Sequence, residues 1–162
     1  PLNYRLGLRM LASRYSYTKL TAFSDLLKST NERLIVFYSF VTERQALMGL
    51  CTQADKPISR IDGDIKDLSA YKNEENSVTL CQYQAGSMGL NLQLANTVIY
   101  FSLPERSELF EQSKKRIHRI GQRKSCLYYI MLTDESIDEC IFKALQQKKD
   151  YTDELFREQF EE

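Results

Sequence analysis

Leu34-Ile35-Val36-Phe37-Tyr38 is an unbroken apolar run, partly β-branched and partly aromatic, that ends at Ser39. A strand with one wet face alternates polar and apolar residues, whereas a strand with no polar position must be covered on both sides. Such strands belong to parallel sheets whose crossover helices lie over both faces. The neighbouring sequence supplies those helices. Residues 17 to 29 place Leu20, Phe23, Leu26 and Leu27 at helical spacing, with Ser16 or Thr18 as the cap. Beyond the run, Thr42 is expected to begin a second helix, with Gln45 at capping-box distance and Ala46, Leu47 and Leu50 on one side.

The alternation continues along the chain. Ile58 to Ile61 reads as a short strand running into the turn Asp62-Gly63-Asp64. After a polar stretch around Tyr71 to Asn76, three further strands are expected at Val78–Tyr83, Thr97–Phe101 and Leu127–Leu132. Residues 105 to 120 carry the longest helical pattern among these segments, and residues 135 to 149 another, with Ile137, Ile141, Phe142 and Leu145 on its apolar side. The fold class is therefore α/β, an open parallel sheet of about five or six strands with helices on both faces. No internal repeat suggests a solenoid.

The 162 residues match one domain, and residues 150 to 162 are expected to form an acidic helical tail. From Asp134 onward ten acids face four basic residues, so this end reads as solvated and away from DNA. The 22 basic and 22 acidic residues cancel overall, so any attraction to a polyanion depends on where the charges sit. No apolar run approaches the roughly 18 residues of a membrane helix, and no membrane partner is expected. Cys51, Cys81, Cys126 and Cys140 lack Cys-x-x-Cys spacing, and His118 is the single histidine, so reduced thiols and no metal site are expected. The start at Pro1 reads as a cut within a longer chain.

Charge is concentrated in one place. Lys114, Lys115, Arg116, Arg119, Arg123 and Lys124 put six cations in eleven residues without an acid, an arrangement that repels itself unless an anion accepts it. On a helix, Gln112, Arg116 and Arg119 would fall within an arc of about 60°, while Leu109, Phe110, Ile117 and Ile120 would pack on the sheet. Two guanidinium groups would then face outward from a buried helix. A solvated basic face is the plain alternative. A second segment favours an anion: Gln84-Ala85-Gly86-Ser87-Met88-Gly89-Leu90-Asn91-Leu92 follows a strand, and its small residues let backbone N–H groups approach a phosphate before a short helix-like stretch.

These two segments resemble motifs V and VI of the Swi/Snf-type ATPases of helicase superfamily two, the second through the pattern Gln-x-x-x-Arg-x-His-Arg-Ile-Gly-Gln at residues 112 to 122. Val36-Phe37-Tyr38-Ser39-Phe40 resembles motif IV, and Arg60-Ile61-Asp62-Gly63 the short element after it. The resemblance covers about residues 9 to 149 and leans toward phage and bacterial members. It implies the second RecA-like lobe of a DNA-dependent ATPase, working in the cytoplasm of a bacterial or phage-infected cell. By motif position, Arg116 and Arg119 would reach the phosphates of ATP held by a first lobe, because a planar, permanently charged fork stabilises charge on a transferring phosphoryl group. Gln112, Gly89 and Asn91 would lie near the nucleotide. Ser39, Arg60, Gly63, Gln84, Ala85, Gly86 and Ser87 would grip DNA, duplex and without regard to sequence, through its phosphates.

ATP and Mg2+ would be held mainly by the first lobe, because these residues contain no Gly-x-x-x-x-Gly-Lys loop, and the lobe alone is expected to be inactive. Two departures are visible. Gly86-Ser87 stands where the family has paired glycines, and Ser102-Leu103-Pro104-Glu105-Arg106-Ser107 replaces an Asp-Pro-x-Trp-Asn-Pro element. Asp134-Glu135 fits a helix N-terminus rather than a magnesium site. Two other classes match parts of the pattern. Ala85-Gly86-Ser87-Met88-Gly89 is one residue short of a hydrolase nucleophile elbow, but no acid stands ready to orient His118, which reads instead as a hydrogen-bonded member of its helix. A non-catalytic module that binds DNA or protein through the same basic face is the second alternative.

Overall fold

The computed structural model describes residues 2–86 and 89–160. Six strands form one sheet: β1 (Leu34–Tyr38), β2 (Ile58–Ile61), β3 (Lys66–Asp67), β4 (Val78–Gln82), β5 (Thr97–Tyr100) and β6 (Leu127–Ile130). Their order is β3-β2-β4-β1-β5-β6, and every pairing is parallel except the short β2–β3 hairpin. β1 sits in the middle, with Leu34 opposite both Val78 and Thr97. All five of its residues are buried, as an all-apolar strand requires.

The sheet separates two cores. On one side Val36, Leu80 and Ile99 meet Phe23 and Leu27 of α2 (Tyr17–Ser29) and Leu47 and Cys51 of α3 (Val41–Gln53). On the other, Ile35, Phe37, Cys81, Val98 and Tyr100 meet residues from α1 (Leu2–Ala12), α4 (Ser69–Asn73), α6 (Ser107–Lys114) and α7 (Ile137–Gln146). Tyr83, Phe37, Tyr100 and Tyr128 stack ring on ring along this face, with centroids 5.3 to 6.5 Å apart. The two remaining helices are the single turn α5 (Tyr83–Gly86) and α8 (Asp153–Phe160).

Several expectations are corrected. α2 has the expected limits and the Ser16 cap, but α3 is started by Glu43, whose carboxylate accepts the Phe40 N–H at 2.9 Å, not by the Thr42–Gln45 pair. The longest expected helix, 105 to 120, stops at Lys114. The segment after Gly89 is irregular rather than helix-like, because the single helical turn comes earlier, directly on β4. The acidic tail is helical but not simply solvated: Tyr151 and Phe156 are buried, Phe156 packs edge-on against Tyr4, and Asp153 pairs with Arg5. An acidic composition hid those two anchoring rings. Asp134 and Glu135 precede α7, whose N-cap is Ser136, while Asp138 turns inward to a buried ion pair with Lys19 at 2.7 Å.

Candidate functional site

From the carboxyl end of β1 the chain crosses to β2, and from the carboxyl end of its neighbour β4 it crosses the other way to β5. Loops that diverge from adjacent strands leave a crevice, the place where open α/β sheets hold ligands. A cavity of about 320 Å³ opens there, lined by Ser39 and Phe40 after β1, Tyr83 and Gln84 after β4, and Arg9 and Arg106. Of the residues assigned to DNA by resemblance, Ser39 and Gln84 meet in this crevice. Ala85 and Gly86 complete the turn of α5 beside it, Gly63 is exposed beyond β2, and Ser87 lies outside the described residues.

Polar groups here are largely committed to one another. The Ser39 N–H donates to Ser102 Oγ at 3.0 Å and the Ser39 hydroxyl to the Leu103 carbonyl at 3.3 Å. Arg9 donates to Glu105 at 2.6 Å and to the Leu103 carbonyl at 3.1 Å, with its guanidinium 4.7 Å over the Phe40 ring. Arg60 is tied to Asp62 at 2.9 Å, and Arg44 reaches the same oxygen at 3.2 Å. Burial alone would raise the Asp62 carboxyl. The N–H groups of Asp64 and Ile65 and the Arg60 guanidinium outweigh it and hold the group below the usual carboxylate range. Beneath the loop, Glu43 is fully buried. Burial raises its carboxyl, opposed by hydrogen bonds from Ser102, Ser13 and Phe40.

The basic segment behaves differently. Because α6 ends at Lys114, Arg116 and Arg119 do not share an outward helix face; they lie in the turns that follow. Arg116 is 5% exposed and its Nε has no hydrogen-bond partner among the described residues. Burial lowers its pKa first, and the positive charge of Arg119 nearby lowers it further. Arg119 is exposed, and its Nε donates to the Lys115 carbonyl at 3.0 Å. Neither guanidinium has a carboxylate within ion-pair distance among the described residues. A cleft of about 800 Å³ is lined by Arg119, Asn91, Gln93, Lys115, His118 and Ile120.

Asn91 and Arg119 thus line the same cleft. Leu92 N–H donates to the Arg116 carbonyl at 3.1 Å and locks the two segments together, and Gly89, at φ +68°, turns the chain into this region in a conformation that favours glycine. Gln112 is not brought to the cleft. It remains on α6, where Nε2 donates to Glu108 at 3.0 Å. His118 is exposed and lies in the turns after α6, so it is not the member of that helix it was expected to be, while Ser87 of the hydrolase alternative lies outside the described residues.

Sequence reasoning missed Gln122. Its Nε2 donates to the carbonyls of Gln93, Ala95 and Ile117 at 3.2, 2.8 and 3.1 Å, while Gly121 at φ +100° lets the turn close against Gln93. The Gly-Gln pair after a basic run was the available signal.

A RecA-like α/β lobe, with two arginines that lack a carboxylate among the described residues in the turns after α6, is the class of protein defined by this geometry. Residues 18–121 match the helicase conserved C-terminal domain, and the chain belongs to that family, in its Swi/Snf-type branch. It is 32% identical over 130 residues to the ISWI chromatin-remodeling complex ATPase ISW2 of Saccharomyces cerevisiae and 31% identical over 130 to the probable ATP-dependent DNA helicase CHR12 of Arabidopsis thaliana. Each match takes in 75% of this chain and 12% of the relative. The chain thus spans about an eighth of those proteins. The human lymphoid-specific helicase is 28% identical over 130 residues, 76% of this chain and 16% of that one. The C-terminal part of the Fun30 ATPase domain has the same fold, with a TM-score of 0.72 at 24% identity over 85% of this chain and 47% of that one.

Proposed function

We propose that this chain is the second motor lobe of an ATP-driven DNA translocase and completes an ATP site whose other half lies on a first lobe. The observation that carries the reading is Arg116, buried with an unpartnered Nε beside an Arg119 that also lacks a carboxylate. Leaving a buried donor unmade costs about 1–3 kcal/mol, and a second cation nearby adds to that cost. An arriving triphosphate removes both penalties. Charge that spreads over the phosphoryl oxygens would be met by two planar forks, the role of arginine fingers in phosphoryl transfer. Asn91 lines the same cleft as Arg119 and would supply a side-chain amide, and Gly89, with nothing within 4 Å of where a Cβ would sit, would leave the backbone open to approach.

Mg2+ would be held, with ATP, mainly by the first lobe, the half that would carry the phosphate loop. The crevice at Ser39 and Gln84, with the exposed Gly63, is the part assigned to the DNA backbone. Arg60 would contribute there through Asp62, as a fixed positive field rather than a free hand. The cytoplasm of a bacterial or phage-infected cell remains the proposed setting.

The test joins this lobe to one that carries a phosphate loop. Arg119→Ala is expected to lower DNA-stimulated ATP hydrolysis by about 10³-fold or more, with the melting temperature unchanged because the side chain is exposed. Unchanged hydrolysis would remove the finger role.

A further inference from the structure

Ile120 is 100% exposed, ahead of Tyr17 at 82% among the described residues. Full exposure of a branched apolar side chain is unremarkable on a loose loop, but this turn is built. The Gln122 amide is shared among three carbonyls, its Oε1 accepts the Lys124 N–H at 3.2 Å, and Gly121 adopts a backbone conformation that other residues rarely enter, with its missing Cβ 3.4 Å from the Gln93 side chain. Such fixing costs conformational entropy, and it displays the apolar side chain instead of hiding it.

We infer that Ile120 is an apolar knob that seats in a socket on the first motor lobe when the two lobes close on ATP. The inference rests on the finger reading above. Arg119 and Ile120 are joined by a trans peptide, which puts their Cα atoms about 3.8 Å apart. A surface that carries a phosphoryl group to Arg119 therefore comes within reach of Ile120. The charges around the knob say what the surface must be. Lys115, Arg119 and Arg123 have no carboxylate partner among the described residues, whereas Lys114 and Lys124 pair with Glu111 and Glu32. An apolar centre in a cationic rim fits an apolar socket rimmed by phosphate and acidic groups, which describes a nucleotide-loaded lobe. A second copy of this chain would set like charge against like. Burying one isoleucine is worth roughly one to two powers of ten in an equilibrium constant, enough to bias closure without locking it.

The experiment uses the two-lobe protein with a fluorophore on each lobe, closure being titrated with a non-hydrolysable ATP analogue. Ile120→Asp is expected to raise the midpoint by roughly tenfold or more, and Ile120→Leu to leave it close to that of the parent. Melting should not change, because no burial is lost in the free lobe. A photoreactive benzoylphenylalanine placed at position 120 should cross-link to the first lobe only when the analogue is present. An unchanged midpoint for Ile120→Asp, or cross-links that fall on the nucleotide, on DNA or on another copy of this chain, overturns the inference. Arg119→Ala run in parallel separates the two readings. If it stops hydrolysis while Ile120→Asp closes normally, only the knob falls; if it leaves hydrolysis intact, the finger reading falls and takes the knob's basis with it.

Discussion

Arginines occur in two regions of this molecule under opposite conditions. At the carboxyl edge of the sheet, Arg9 has Glu105, and Arg44 and Arg60 share Asp62. In the turns after α6, Arg116 and Arg119 have no carboxylate among the described residues, although Arg116 is the more deeply buried of all these side chains. A buried charge that has its counterion within the fold serves the fold. One that lacks it is placed at a cost that the fold alone does not recover, a cost that the phosphate contact proposed above would offset. The difference separates scaffold from site more sharply than exposure or net charge does.

The sharpest way to break this contrast is Arg116→Met. Methionine fills the space of the aliphatic stem without the guanidinium, so it removes an unsatisfied buried donor and the repulsion from Arg119. Two opposite effects are expected. In a two-lobe protein, DNA-stimulated ATP hydrolysis should fall by about 10² or more. Thermal unfolding of this chain should shift upward, by about 1 kcal/mol or roughly 2–4 °C. A drop in both would mean that Arg116 holds the fold together, and the distinction between the two regions would fail at its central residue.

How much of this was legible beforehand follows from where the information sits. β1 and α2 were readable to their limits because local pattern decides them: an apolar run without a polar break, and a Ser16 cap ahead of a regular stripe. The end of α6 was not. Periodicity continues through Ile117 and Ile120, yet one of these is buried and the other fully exposed, because Gly121 and the Gln122 amide fold the chain back on Gln93 and Ala95. That is a long-range contact that no helical wheel contains. The arginines were identified by motif, but the expected shared outward face was wrong. Gln112 was misplaced for the same reason. The crevice ion pairs escaped notice because Arg9 and Glu105 are 96 positions apart.

The paired region makes its own prediction, of intermediate size. Asp62 accepts from the Asp64 and Ile65 N–H groups and from two arginines, and its side chain is fully buried. Asp62→Ala is expected to destabilise the chain by about 3 kcal/mol, measured by urea unfolding at neutral pH. The sign of the pH dependence follows from its lowered pKa. A carboxyl held below its unfolded value of about 3.9 adds stability above that pH and loses it as the pH falls through the folded value. The gap between parent and variant should therefore be full at pH 7 and close below about pH 4. A gap independent of pH would mean that Asp62 acts by shape alone.

The smallest expected effect is at Lys124, the member of the basic run that does have a partner. Its Nζ lies 3.3 Å from Glu32, with the two side chains 64% and 53% exposed. In water such a pair gains little over its solvated parts, and ordering two long side chains offsets what it gains, so Lys124→Ala should change stability by less than about 0.5 kcal/mol. Its value is as a control on the reading of charge. Lys124 carries the same sign as Arg119 and sits five residues away, so a general cationic field would make the two contribute alike to ATP hydrolysis in a two-lobe protein. A geometric finger would not. Hydrolysis by Lys124→Ala should stay within about twofold of the parent, against the loss of about 10³ expected for Arg119→Ala. If the two substitutions were equally costly, the summed field of the segment and not the two forks would carry the chemistry, and the contrast between paired and unpaired arginines would lose its functional meaning.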